Sequence, residues 1–428
     1  MPPSRISRRD FVKTAVAIGG ASALSACLGR EDPDLPTGSA GARPARQHAW
    51  NDALATDDAG NDVPPRHHLV RLFDYPGDRP TDADRETVET ALRSLERAYP
   101  RSHETDDGHG VGLLSTVGYG PSYFERFDDP GVALPEPEPL APFENPTPDD
   151  ADVIVHLASD YGSVLLATEQ ALDGERDTVN GVEVAATLSD VLVDADLADE
   201  GRTRRTGFIG AGLPADNQDV TGVPDSEPVS EDAPLYMGFE SGFKGSQASE
   251  DRVTIEGGPF AGGTTQHLSQ IHLNLQQWYE QDSREHREST MFCPAHADGD
   301  RIEGTGENLG ADNQVAGCAD DVTTDATESG KVGHAQKTAR ARVDGQPRIL
   351  RRDFDSTDDE RATVHFLSLQ SAIAEFVATR QAMNGTTAAD SAAVGQRSNN
   401  GILQYITVER RGNYLVPPRN KRALPAAP

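Results

Sequence analysis

The same order of strand-like and helix-like segments occurs twice in the hydrophobic pattern of residues 65–420. Short runs of Val, Leu, Ile and Phe are typical of buried strands, and apolar residues three and four apart predict amphipathic helices. The first set of predicted elements is strand 68–73, a helix capped by Thr81, strands 112–118 and 152–158, helix 161–172 and a strand near Val191. This is the order of a ferredoxin-like unit.

The second set begins beyond residue 225. Its predicted elements are strand 234–239, the long alternating strand 263–273, a strand end at 348–353, helix 363–383 and strands 402–406 and 413–416. Residues 284–333 are polar with few large apolar side chains, so we expect a surface loop there. The pattern predicts an α+β duplication with an N-terminal domain at 65–225 and a C-terminal domain at 226–420.

The N-terminus has the pattern of an export signal. Arg8 and Arg9 stand in Ser-Arg-Arg-Asp-Phe-Val-Lys and precede an apolar run too short to span a membrane. The run ends in Leu-Ser-Ala-Cys27, which resembles a lipoprotein cleavage site. We therefore expect a twin-arginine lipoprotein signal at 1–26, lipidation of Cys27 and a cell-surface location. Residues 27–64 are rich in Gly, Pro, Asp and Ala, and we expect a disordered tether there.

The net charge of the chain gives information about the environment of the protein and little about its substrate. The chain has 70 acidic and 39 Lys and Arg residues, a net charge of −31. Removing a signal of net charge +3 would leave −34. Such a surface repels nucleic acid and anionic lipid, so we expect no nucleic-acid partner and membrane contact only through the lipid anchor. Acidic surfaces of this kind are typical of adaptation to high salt.

Two cysteines beyond Cys27 allow three arrangements. Cys293 and Cys318 lie 25 residues apart. Outside the cell they could form a disulfide, whose closed loop would contribute about 3–4 kcal/mol in the chain-entropy model. Cys293, His296 and Cys318 could instead bind a metal ion, although a fourth ligand is not evident. Free thiols are the third arrangement.

His334 and Arg351 are the candidate chemical groups. A neutral imidazole is a good ligand for haem iron. Arg351 lies 17 residues further on, in Arg-Ile-Leu-Arg-Arg, which leaves room for a turn and a returning strand. An arginine held over the opposite face of a haem could bind and polarise a peroxide oxygen.

Five segments in a fixed order extend this hypothesis. They are 114–124 (Leu-Ser-Thr-Val-Gly-Tyr-Gly-Pro-Ser-Tyr-Phe), 152–160, 258–278, the stretch from His334 to 352, and 405–418. Together they resemble the dye-decolourising peroxidase family, which includes exported deferrochelatases. The resemblance implies two ferredoxin-like halves in a dimeric α+β barrel, with haem b in the C-terminal half. It also implies His334 as the iron ligand, Arg351 as the catalytic distal charge, and hydrogen peroxide with a small reducing molecule as substrates. The oligomeric state is left open.

Two positions depart from the pattern of that family. Its Gly-x-x-Asp-Gly motif corresponds to a stretch in which Gly210 or Ala211 stands in place of the acid. The carboxylate that supports the family's haem histidine corresponds to Asn399-Asn400. Both departures predict weakened peroxidase activity. His296, after Cys-Pro, is a rival axial ligand. The alternatives are a degenerate, non-catalytic binding lipoprotein and a protein that carries haem or iron.

Overall fold

A computed structural model describes residues 33–105, 108–127, 131, 133–386 and 391–426. The predicted signal and Cys27 lie outside the described residues. The described strands are β1 (Ala55–Thr56), β2 (Asp62–Val63), β3 (His67–Asp74), β4 (His103–Thr105), β5 (Gly108–Gly110), β6 (Leu114–Tyr119), β7 (Thr147–Pro148), β8 (Val153–Ser159), β9 (Thr178–Val179), β10 (Val182–Glu183), β11 (Val193–Asp194), β12 (Arg204–Phe208), β13 (Thr264–Leu273), β14 (Leu350–Arg351), β15 (Phe354–Ser356), β16 (Thr363–Gln370) and β17 (Ile406–Val416). The described α-helices are α1 (Asp82–Ala98), α2 (Pro121–Phe124), α3 (Gly162–Leu172), α4 (Leu213–Asp216), α5 (Arg284–Met291), α6 (Pro294–Asp298), α7 (Val322–Glu328), α8 (His334–Ala339) and α9 (Ile373–Asn384).

Eight antiparallel strands close into a barrel. The N-terminal half contributes the strand order β6-β8-β3-β12, and the C-terminal half contributes β15-β16-β13-β17. In both halves the second, third, first and fourth strands of the unit lie side by side, which is the ferredoxin-like order. The two sheets join where β12 pairs with β15 and β17 pairs with β6. The predicted α+β fold, two ferredoxin-like halves in one barrel, is confirmed.

The first half folds largely as its pattern predicts. The Thr81 side chain accepts from the backbone N–H of Asp84, whose carboxylate accepts from the N–H of Thr81, so a capping box begins α1. Val88, Leu92 and Leu95 of α1 are buried against the barrel. The predicted strand near Val191 is wrong as a barrel strand, because β11 is only a two-residue edge beside β3. The fourth barrel strand is β12.

The second half departs more from its prediction. The helix expected over 363–383 is wrong in its first part, because 363–370 forms β16 and the helix begins at Ile373. Most of β16 is buried on both faces, so the polar alternation that marks a half-exposed strand is missing. No strand occupies 234–239, and residues 401–404 form a short 3-10 turn before β17.

Residues 284–333 are not a surface loop. They contain α5, α6 and α7, and Phe292, Cys293, Val315 and Cys318 belong to the C-terminal hydrophobic core. The bond between Cys293 and Cys318 joins two parts of this segment to each other. The segment therefore forms part of the core beneath α8.

The N-terminal segment is not a disordered tether from residue 33 onward. The Arg43 guanidinium donates to the carbonyl oxygens of Leu113, Glu96 and Tyr99. Trp50 is 2% exposed, and the Arg352 guanidinium lies 4.1 Å from its ring centre. The segment packs through single side chains and not through a periodic face, which is why the sequence pattern did not reveal it. Among the described helices, none has the length and apolar character needed to cross a membrane.

Candidate functional site

A cavity of about 260 Å³ lies between the C-terminal strands of the barrel and helices α8 and α9. This is close to the lower end of the volumes found for small-molecule sites. Much of the wall is apolar, and both His334 and Arg351 line it. Apolar side chains from five different parts of the chain include Met237, Phe239, Ile271, Phe292, Val364 and Met383. The fold therefore brings the two sequence-predicted residues together in one place.

His334 is held as the first residue of α8. A Cβ atom on the preceding residue, Gly333, would lie 1.8 Å from the carbonyl oxygen of Phe292, so only glycine fits there. The Gln336 side chain accepts from the backbone N–H of Gly333 at 3.0 Å and donates to the carbonyl oxygen of Cys318 at 2.7 Å. These contacts tie the start of α8 to both cysteine segments.

The His334 imidazole is neutral at physiological pH. Burial, followed by the positive charges of Lys337, Arg351 and Arg380, lowers its pKa to about 3. The residue keeps part of its surface open, and that part faces the cavity. Nδ1 is buried and has no hydrogen-bond partner among the described residues. A neutral imidazole with an open side is the form that binds a metal ion.

Asn400 does not support His334 in the way the sequence suggested. Its Oδ1 accepts from Nζ of Lys337 at 2.5 Å, and its Nδ2 donates to the carbonyl oxygens of Asn384, Gly395 and Gln396. Lys337 also donates to the carbonyl oxygens of Met383 and Asn400, while burial lowers its pKa well below the usual value. The side-chain oxygen of Asn400 is therefore bound to a buried lysine, which lies one helical turn from His334.

Strand alternation places Arg351, Asp353 and Asp355 on the wall of the cavity. Leu350, Arg352 and Phe354, the residues between and beside them, are buried on the other face. The Arg351 guanidinium donates to Oγ of Ser241 at 3.0 Å and has no salt bridge to an acid within the described ranges. Its charge is therefore available to a ligand.

Asp355 is an acid that the sequence analysis missed. Its Oδ2 accepts from the backbone N–H of Tyr236 at 2.6 Å, whereas buried Oδ1 has no partner in the part of the chain that the structure describes. Burial, with the charge of Asp353, raises the pKa of Asp355 well above its usual value. Burial therefore favours the neutral form of this carboxyl group. Side chains alternate between the two faces of a strand, so Asp355, four residues after Arg351, is expected on the same face as Arg351. This alternation in the sequence would have identified it.

Four further arginines line the cavity: Arg342, Arg348, Arg380 and Arg411. Arg380 and Arg411 share the single carboxylate of Glu144, at 2.5 Å and 2.9 Å. Two cations held by one acid leave a positive charge beside the cavity. This wall suits a ligand that combines a large apolar body with carboxylate groups.

This chain resembles a protein family in sequence and solved structures in fold. The model of a family described as "Family of unknown function (DUF7405)" matches residues 65–418. The chain belongs to this family. A search of curated proteins finds no match for this DUF7405 protein.

Solved structures resemble the DUF7405 chain over most of its length. A variant of DypB from Rhodococcus jostii RHA1 in complex with heme has 16% identity and a TM-score of 0.55, with 88% of this chain and 98% of that chain covered. A DypB variant in complex with manganese has 15% identity and a TM-score of 0.53, with 89% and 99% covered. The encapsulated DyP-type peroxidase from Mycobacterium smegmatis has 12% identity and a TM-score of 0.51, with 88% and 100% covered. The chain thus has the fold of the dye-decolourising peroxidases.

The motif loop of the DUF7405 chain does not reach the cavity. Gly210 and Ala211, expected near the bound iron, are not among the residues that line it, and Ala211 is exposed. Gly210 has a φ of +113°, which favours glycine at this turn. The acid on this side of the cavity instead comes from β15, which pairs with β12 through Asp355 and Phe208.

His296 lies away from the cavity wall. It is fully buried, with Nδ1 3.0 Å from Sγ of Cys293 and Nε2 2.9 Å from the carbonyl oxygen of Asn313. Cys293 and Cys318 form a disulfide in the structure. Donor atoms of these three residues lie within 4.8 Å of one another. Because both ring nitrogens are engaged, His334 is the histidine available to a ligand in the cavity.

Proposed function

We propose that this protein binds haem b in the cavity, with His334 as the axial ligand of iron and Arg351 as the distal charge. One observation carries the proposal: the same cavity is lined by a neutral imidazole and by an arginine that has no salt bridge to a described acid. The fold supports it, because one similar solved structure is a DypB variant in complex with heme.

The residues present fit such a group. The apolar wall suits a macrocycle, and Arg348, Arg380 and Arg411 suit its carboxylate side chains. Nδ1 of His334 has no partner among the described residues, and Nε2 is the ring nitrogen that would coordinate iron. The missing carboxylate partner makes His334 a weaker electron donor than a carboxylate-paired histidine.

Peroxide-dependent oxidation of a small molecule is the activity we propose, in a weakened form. Bound haem iron would supply the redox chemistry. Arg351 would bind and stabilise negative charge on a peroxide oxygen. Burial favours the neutral form of Asp355, and its Oδ1 has no partner among the described residues, so this group would be placed to exchange a proton with a ligand within reach. The proposed acid thus stands on β15 and not in the Gly210 loop.

Haemin titration of the purified protein tests this function. A shifted Soret band should form with one equivalent of haemin and be absent in His334→Ala, while the rival-ligand variant His296→Ala should keep it. Arg351→Leu should bind haem but react with peroxide about 10²-fold more slowly, since only a distal charge is lost. Circular dichroism confirms that each variant is folded. A wild-type protein without a shifted Soret band would refute haem binding.

A carrier of haem or iron is the second candidate. The observation favouring it is that no described carboxylate pairs with Nδ1 of His334, while Lys337 lies one turn away. A Soret band without any peroxide reaction would identify a carrier. The absence of both would favour a non-catalytic binding lipoprotein for another apolar, anionic molecule.

We also propose export by the twin-arginine route and anchoring to the membrane through Cys27. The Arg8-Arg9 pair, the short apolar run and the cysteine that ends it support this. Replacing Arg8 and Arg9 together by Lys should strand the protein in the cytoplasm. Cys27→Ala should leave it exported but released from the membrane. Surface delivery of the double Lys variant would overturn the targeting proposal.

A further inference from the structure

A serine, a histidine and an asparagine form a buried hydrogen-bonded chain beside the cavity. His267 Nε2 lies 2.7 Å from Oγ of Ser269, and His267 Nδ1 lies 2.7 Å from Oδ1 of Asn413. Ser269 and His267 are neighbours on one face of β13, and Asn413 pairs with His267 from β17. The three residues are only 2%, 1% and 4% exposed, and Ser269 lines the cavity.

The surrounding contacts determine the direction of each hydrogen bond. Nδ2 of Asn413 donates to the carbonyl oxygen of Pro135 at 2.9 Å, so the oxygen of the amide must face His267. An amide oxygen only accepts, and therefore Nδ1 of His267 carries the proton. Nε2 is left with a lone pair, which accepts from the hydroxyl group of Ser269. The serine proton thus points at a base whose orientation a third residue holds.

A free donor lies next to this serine. Arg411 pairs directly with Ser269 across β13 and β17, so their Cβ atoms lie about 4.5–5.5 Å apart on the same face. The Nε–H of Arg411 is buried and has no acceptor among the described residues. Arg411 also lines the cavity, while its other nitrogens are held by Glu144 and by the carbonyl oxygen of Glu138.

We propose that Ser269, His267 and Asn413 form an acyl-transfer site that opens into the cavity and takes esters with an apolar acyl group. Oγ of Ser269 is the nucleophile, Nε2 of His267 the base, and Asn413 positions the imidazole. Arg411 offers Nε–H to the oxyanion. The mostly apolar wall favours an apolar acyl group.

The reaction needs only an ester and water. Oγ bonds to the carbonyl carbon while its proton moves to Nε2 of His267. The bond from carbon to the alcohol oxygen then breaks, and the imidazolium returns the proton to that oxygen. Water repeats the sequence and releases the acid. Burial lowers the pKa of His267 to about 3, so the base is ready to accept a proton but weak. Because the same base serves both steps, we expect slow formation of the covalent adduct and slow turnover.

The test uses an alkyl fluorophosphonate on the full, haem-free protein. Attack by Oγ displaces fluoride and leaves a stable phosphonyl group, which mass spectrometry locates on one peptide. We expect labelling at Ser269, its loss in Ser269→Ala, and a rate at least about 10²-fold lower in His267→Gln. Ser368→Ala is the matched control, since Ser368 is a buried hydroxyl on the neighbouring strand that donates to Gln370. It should label as the wild type does.

A second variant keeps the proposal falsifiable if Ser269→Ala does not fold. Ser269→Cys should react with iodoacetamide about tenfold faster than the double variant Ser269→Cys with His267→Gln, because a neighbouring imidazole promotes the thiolate. Equal rates, or a folded wild-type protein unlabelled at Ser269, would overturn the proposal. Haemin should protect Ser269 if it fills the cavity. Labelling that haemin leaves unchanged would count against haem binding and not against the acyl-transfer site.

Discussion

Four buried polar atoms without partners among the described residues belong to side chains that line one cavity. They are Nδ1 of His334, Oδ1 of Asp355, Nε of Arg411 and Oγ of Ser246. An unpaired buried polar group costs about 1–3 kcal/mol, so such groups are few in folded proteins and often mark function. A ligand that offers hydrogen-bonding groups would offset part of this cost, which supports a binding role for the cavity.

Glu240, which also lines the cavity, gives a pH-dependent prediction. Burial, followed by the charges of Glu307 and Asp57, raises the pKa of Glu240 from 4.5 to about 6. The folded state therefore binds this proton more tightly than the unfolded state, and stability from this residue is lost as pH rises through about 6. Because Glu240 is partly exposed, we expect Glu240→Gln to stabilise the protein by only about 1 kcal/mol at pH 7.5.

Urea unfolding at several pH values measures this effect. The gain of Glu240→Gln should shrink as the pH falls from 7.5 to 4.5, since the wild-type carboxyl group becomes protonated. Glu231→Gln, at an exposed acid, is the control and should change little at any pH. A gain that grows toward low pH would contradict the assigned sign.

At the scale of elements, the start of α8 depends on a cross-linked segment. The carbonyl oxygen of Phe292 accepts from the backbone N–H of Gln336, and that of Cys318 accepts from the Gln336 side chain. The disulfide between Cys293 and Cys318 joins these two contact points. The position of His334 is thus set by contacts far from it in sequence, and the disulfide holds those contacts together.

Removal of the disulfide should lower stability and loosen the site. For a loop of 25 residues, replacing both Cys293 and Cys318 by Ser should cost about 3–4 kcal/mol of unfolding free energy. Guanidinium unfolding with and without reductant gives the measurement. Reductant should destabilise the wild type and leave the double variant unchanged. Equal wild-type stability in both conditions would show that the cysteines are not cross-linked in solution.

The N-terminal segment behaves as an element of the fold in spite of its composition. Trp50 donates through Nε1 to the carbonyl oxygen of Gln47 at 3.0 Å and packs beneath the Arg352 guanidinium. Trp50→Ala should therefore destabilise the protein by about 3–5 kcal/mol. Val63→Ala, at a side chain 44% exposed, is the control and should have a small effect. Thermal unfolding of both variants gives the measurement. If Trp50→Ala lowered the unfolding temperature no more than Val63→Ala does, the segment would be a tether.

At the scale of the whole molecule, the net charge of −31 predicts that stability depends on the salt concentration. Self-repulsion between exposed acids acts over about 30 Å at 0.01 M salt but only about 3 Å at 1 M. We expect the unfolding midpoint to rise markedly between 0.1 M and 3 M sodium chloride. Potassium chloride should act similarly if screening is the cause. An unchanged midpoint would refute adaptation to high salt.

The sequence alone was sufficient where the signal is local or repeated. The capping box at Thr81, the apolar runs of β3, β6 and β8 and the repeated order of elements predicted the fold of two ferredoxin-like halves. These signals depend on neighbouring residues and on periodic burial, which a linear pattern records. His334 and Arg351 were selected differently, by side-chain chemistry, their separation of 17 residues and the family resemblance.

Only the tertiary structure decided what each side chain meets. It placed His334 and Arg351 in one cavity, assigned Asn400 to Lys337, and brought Asp355 onto the wall instead of an acid in the Gly210 loop. It also showed that 363–370 forms a strand. The sequence pattern did not predict this strand, because burial on both faces removes the alternation of apolar and polar residues. Contacts of this kind join residues tens to hundreds of positions apart, and they depend on how the two sheets close.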